Sequence, residues 1–138
     1  AVGAYADRVD LIEGTIDAAP GGPFDGATCL LILHFLDRAT RLRTFREIRR
    51  RLRPGARLAI AHHAPPAEGR ENWMTLSAAF ADRAKVDWPR AAAAGNAMTE
   101  RLPLLTPAEE EDVLREAGFT EIALFYAALS FRGWVARA

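Results

Sequence analysis

The forty residues from Phe24 to His63, "FDGATCLLILHFLDRATRLRTFREIRRRLRPGARLAIAHH", constrain the fold more than any other stretch. They open on a nearly unbroken apolar run without polar alternation, the pattern of a strand buried on both faces of a parallel sheet. Asp37 can cap the segment that follows. There, Leu42, Phe45, Ile48 and Leu52 recur at spacings of three and four, the stripe of an amphipathic helix packed on a sheet. Pro54 and Gly55 stop that helix, because Pro cannot continue the hydrogen-bond ladder and Gly supplies a positive φ. "ARLAIAH" then reads as the next buried strand. Strand, helix and strand in this order predict a right-handed βαβ crossover and a sheet that is at least partly parallel.

The flanking segments add elements to this unit. "AVGAYADR" reads as the tail of a helix, "VDLIEG" as a short strand and "TIDAAPGGP" as a loop rich in turn residues. Between residues 65 and 105, "ENWMTLSAAFADRAKV" has helical spacing at Trp73, Leu76 and Phe80, and "WPRAAAAGNAMTERL" follows as a second short helix; together they predict a lid or an interface. "TPAEEEDVLREAGF" predicts a helix capped by Thr106, with Pro107 in its first turn, Val113 and Leu114 inward and Gly118 at its stop. "EIALFYAAL" and "FRGWVARA" predict a terminal antiparallel hairpin.

A length of 138 residues, half of them apolar, fits one α/β domain over residues 1–138 with helices on the faces of its sheet. Eighteen basic residues balance eighteen acidic ones, so overall charge does not single out nucleic acid or an anionic membrane as partner. Cys29 is the one cysteine, which excludes a disulfide framework and leads us to expect a reducing, cytoplasmic setting. No apolar run reaches the roughly 18 residues needed to span a bilayer. Locally, the segment from Asp37 to Arg57 holds nine arginines against two acids, which keeps an RNA-binding module open as an alternative.

The order of these motifs is informative. "FD" opens a buried strand, "LHFL" closes it, a helix ends in "LRPG", another strand follows, and "AGF" precedes a terminal hairpin. From about Arg8 to Ala138 this resembles the class I S-adenosylmethionine-dependent methyltransferases. Within that superfamily, "LREAGFTEIALFYAALSFRGWVARA" and "LLTPAEEEDV" are most similar to the carboxy-S-adenosylmethionine synthase branch. The arginine by which that branch holds its extra carboxylate falls near Gly95, which favours ordinary S-adenosylmethionine. The first strand, Gly-rich turn and ribose-binding acid of the family have no counterpart, so the chain alone is expected to bind the cofactor weakly or not at all. It is further expected to be a homodimer or to lack an N-terminal segment. A non-catalytic, dimerising scaffold is the other alternative.

The resemblance implies a partial Rossmann-like sheet, mostly parallel, and places Gly14, Thr15 and Ile16 beside the adenine. Leu30, Leu33 and His34, at the carboxyl end of a strand near the topological switch point, are candidates for the cofactor pocket. His62 and His63 end the next strand, and with Trp73 and Tyr126 they are candidates for a substrate pocket whose acceptor is a small molecule or an RNA nucleotide. Adjacent histidines on a strand point to opposite faces, so no metal site is expected.

Overall fold

The computed structural model describes residues 3–82 and 85–138. Strands β1 (Phe24–Leu30) and β2 (Leu52–His63) pair in parallel, and α1 (Arg38–Arg51) makes the crossover between them. Asp37 caps α1 by accepting from the Thr40 amide at 2.7 Å. The helix ends at Arg51, and β2 begins with the next residue. Pro54 and Gly55 thus lie inside β2 rather than in a turn before it, and the β1–β2 register shifts between Phe24 and Gly26 to take them up. Gly55, at φ +83, donates its amide to the Ala138 carbonyl at 2.8 Å.

After β2 come α2 (Arg70–Ala81) and α3 (Trp88–Arg101), then α4 (Pro107–Glu116) and the hairpin of β3 (Thr120–Ala128) and β4 (Phe131–Arg137). The sheet order is β1-β2-β4-β3, parallel at β1–β2 and antiparallel at the other two pairings. Thr106 and Glu109 form a reciprocal capping box on α4. The expected cap, helix and hairpin at the C-terminal end are therefore all present.

Phe45 and Ile48 of α1, Val113 and Leu114 of α4, and Leu58, Ile60 and Trp134 of the sheet form one core. Ile60 and Trp134 are register partners, so this face presents its largest side chains to the two helices. On the opposite face Thr28, Ala59, Ala61 and Val135 remain exposed or half-buried.

Two expectations fail at the N-terminal end. Residues 9–13 form no strand, and Leu11 is 87 % exposed; a 3-10 turn over Gly3–Arg8 stands where a helix tail was expected. β1 is not buried on both faces, since Phe24 and Leu30 are exposed together with Leu31 and Ile32 just after it, and it is also an edge strand with a neighbour only on its β2 side. An isolated extended segment has no ladder to join, and an edge strand keeps unpaired backbone groups. Among the described residues, no helix is long and apolar enough to cross a membrane.

α2 and α3 pack chiefly on each other. Their closest approach is at Gly95, where an added Cβ would sit 2.6 Å from the Thr75 amide nitrogen and 2.7 Å from its Cα. Backbone cannot yield as a flexible side chain does. We expect Gly95→Ala to destabilise the protein by about 1–3 kcal/mol, the usual cost of overpacking. Denaturant titration checks this, and an unchanged midpoint would mean the helices are not in contact there.

Candidate functional site at the strand ends

The chain leaves β1 through Leu31, at φ +61, into a 3-10 turn over Leu33–Phe35 that buries Leu33 and His34. β2 ends beside it on His62 and His63. The His34 ring lies 5.0 Å from that of His63, 6.4 Å from that of His62 and 4.2 Å from that of Phe35, centroid to centroid. Three histidines from two parallel strand ends thus cluster together. His62 and His63 diverge as expected of neighbours on a strand. His62 Nε2 is 2.8 Å from Glu110 Oε1, whereas His63 Nδ1 is 2.6 Å from Ser130 Oγ, which is itself 2.5 Å from Ser77 Oγ.

Glu110 also takes an ion pair from Arg41, and that guanidinium donates further to the Leu36 carbonyl at 2.9 Å and the Pro103 carbonyl at 3.1 Å. Arg41, Glu110 and His62 are fully buried. The sequence reading missed both charged members. Glu110 nonetheless stands three and four residues before Val113 and Leu114, on the inward stripe of α4, and this spacing was the signal that one acid of "AEEED" points into the core. His62 Nδ1 and Glu110 Oε2 are buried without a hydrogen-bond partner.

Burial, then the Arg41 charge and the other two histidines, pull the His62 pKa down to about 3. Burial and His34 bring His63 to about 4, and burial and Arg41 lower His34 as well. All three rings are neutral at pH 7. In the unfolded chain these groups titrate near 6.5. The unfolded state therefore binds more protons between about 6.5 and the folded values, and stability present above pH 6.5 is lost as pH falls toward 3–4. Thermal midpoints should decline over that window, and His62→Gln should flatten part of the slope. Arg41→Met, which strands a buried carboxylate, should cost about 3–5 kcal/mol at pH 7 by denaturant titration.

Two cavities flank the strand ends. One of about 560 Å³ lies along β1 and α1, and its wall includes Gly14, Thr15, Ile16, Ala27, Cys29 and Ile48. Gly14, Thr15 and Ile16, the consecutive residues expected beside an adenine, all contribute to it. No carboxylate contributes to this wall, while Arg43 and Arg51 do. Thr15 is engaged locally, donating to Asp17 Oδ2 at 3.2 Å. Burial pushes the Cys29 thiol up, away from thiolate chemistry.

The second cavity, of about 210 Å³, is lined by His34, Phe35, Ala97, Met98, Arg101 and Leu102. Leu30 is exposed at the end of β1 and Leu33 is in the core; neither lines either cavity. Trp73, half-buried on α2, and Tyr126, exposed on β3, also lie outside both walls, and His62 and His63 sit beneath the rim rather than in it.

The arginine-rich stretch is extensively hydrogen-bonded to the rest of the fold. Arg38 and Arg46 pair with Glu116, Arg43 with Asp17, Arg50 and Arg51 with Glu47, Arg53 with Asp25 and Arg57 with Glu121. With Arg41 on Glu110 and Arg49 donating to the Gly118 carbonyl, each of the nine arginines between Asp37 and Arg57 has a partner.

No protein-family model and no curated protein matches the chain. Solved structures do. A Nostoc punctiforme protein provisionally described as an O-methyltransferase superimposes with a TM-score of 0.69 at 23 % identity, over 98 % of this chain and 38 % of that one. PigF with SAH gives 0.69 at 21 % identity, over 98 % and 37 %. Human N-acetylserotonin methyltransferase in complex with SAM gives 0.64 at 15 % identity, over 98 % and 35 %. None of these selects the carboxy-S-adenosylmethionine synthase branch. The chain spans little more than a third of the length of these structures, and over that span it has part of the Rossmann-like fold of S-adenosylmethionine-dependent methyltransferases.

Proposed function

We propose that this chain is the acceptor-side part of an S-adenosylmethionine-dependent methyltransferase acting on an oxygen of a small molecule. The observation that carries the reading is the parallel β1–β2 pair, at whose carboxyl end His34 lines a cavity above buried His62 and His63, the end at which open α/β sheets bind ligands. The likeness to O-methyltransferases supports the choice of reaction. In this reading α2 and α3 cover the acceptor, and the 560 Å³ cavity receives the adenosyl end of the cofactor.

The residues present fit that cofactor only in part. Gly14 and Ile16 give an apolar wall suited to an adenine face, but the wall holds no acid for ribose hydroxyls or for the cationic methionine end, and two arginines stand there instead. A further strand is needed along the free edge of β1 to complete the cradle. Two copies joined through β1 across a twofold axis would pair antiparallel, which does not extend a parallel sheet.

Titration calorimetry of this chain with S-adenosylhomocysteine should show no saturable binding at micromolar concentrations. Micromolar affinity would overturn the reading that the cradle is incomplete. A longer polypeptide that adds a glycine-rich strand and turn upstream should bind, and failure of that protein to bind would favour the non-catalytic scaffold. The RNA-binding alternative predicts salt-dependent RNA binding with a steep slope.

A further inference from the structure

Met74, Ala79 and Ala91 are buried, yet none of them belongs to the core that α1, α4 and the sheet share. α2 and α3, which pack chiefly on each other, thus carry buried apolar residues of their own. Separate apolar clusters within one supersecondary unit are a mark of segments that open locally.

The seams of this helix pair differ in quality. Between the two helices, Gly95 meets the backbone of Thr75 without room for a Cβ. Between α3 and the turn of His34, by contrast, a space of about 210 Å³ remains against Phe35, Ala97, Met98 and Leu102. Atoms lining a void lack dispersion partners on that side, so the seam with the body of the protein is the weaker one.

What holds the weaker seam is polar and small. Ser130, fully buried in the β3–β4 turn, donates its amide to Ser77 Oγ at 3.1 Å. Its own Oγ lies 2.5 Å from Ser77 Oγ and 2.6 Å from His63 Nδ1. Among the described residues, Ser77 is the one side chain of α2 hydrogen-bonded to the sheet, and α3 has none. Pivots are present at both ends. Gly69, at φ +66, precedes α2 without a side-chain cap, and after Leu102 the chain is fixed again at Pro103, whose carbonyl Arg41 holds.

We propose that α2 and α3 form one lid that opens as a unit about Gly69 and Leu102, latched by the Ser77–Ser130–His63 hydrogen bonds. Water replaces those hydroxyl contacts when the lid lifts, whereas parting α2 from α3 would expose buried apolar surface, so opening at the latch is the easier movement. The inference rests on the acceptor-side reading for its purpose: these helices cover the acceptor there, and opening admits it.

Hydrogen–deuterium exchange of this chain at pH 7, read by mass spectrometry, tests the lid. α2 and α3 should exchange at one common rate, faster than α1 and β2. Ser77→Ala should raise that common rate about tenfold and leave α1 and β2 unchanged. Because the two Oγ atoms are 2.5 Å apart, Ser77→Cys with Ser130→Cys should form a disulfide that slows both helices, and reduction should restore them. Protection of α2 and α3 equal to that of β2, unequal rates in the two helices, cysteines that fail to join, a disulfide that slows α2 alone, or a Ser77→Ala effect spread over the whole chain would each overturn the inference. None of these outcomes involves the cofactor or an acceptor, so failure here leaves the methyltransferase reading to its own titration, and failure there leaves the movement standing without that purpose.

Discussion

The buried contact between Arg41 and Glu110 organises the structured part of this molecule. It joins α1 to α4, reaches β2 through His62, and holds the loops at Leu36 and Pro103 by their carbonyls. A desolvated ion pair contributes little net stability, because the cost of removing both charges from water offsets their attraction. Its effect is on position. With five segments meeting at one guanidinium and one carboxylate, the turn carrying His34 cannot drift relative to the end of β2.

The sheet is well supported on one side only. Trp134, Ile60 and Leu58 meet the two helices, whereas the β1 edge and the small residues of the other face are open. That asymmetry coincides with the length comparison, in which the chain accounts for little more than a third of each methyltransferase structure it resembles. The 560 Å³ space lies on this open side, against Ala27, Cys29 and Ile48.

Local patterns made much of the architecture readable. The stripe of Leu42, Phe45, Ile48 and Leu52, the Thr106 cap and the alternating C-terminal segments each encode their element within a few residues, and each element is present. What depends on distant partners was not readable. "VDLIEG" has the residues of a strand, yet a strand exists only where a neighbour offers hydrogen bonds, and none is offered here. Nor could the apolar run of β1 show that no layer covers its second face. At the site, the position of His34 followed from strand direction, but its company of Phe35, Met98 and Arg101 requires α3 to fold back across some sixty residues, which no local pattern reveals. Glu110 lay between these cases, visible by spacing but concealed in a run of acids that looks like a solvated face.

The contact of Gly95 with the Thr75 backbone has a mechanical consequence. At that point α2 and α3 approach too closely to admit any side chain between them. The serine pair, Ser77 with Ser130, fastens α2 in turn to the β3–β4 turn beside His63. One glycine contact and one pair of hydroxyls thus tie both helices to the tip of the hairpin.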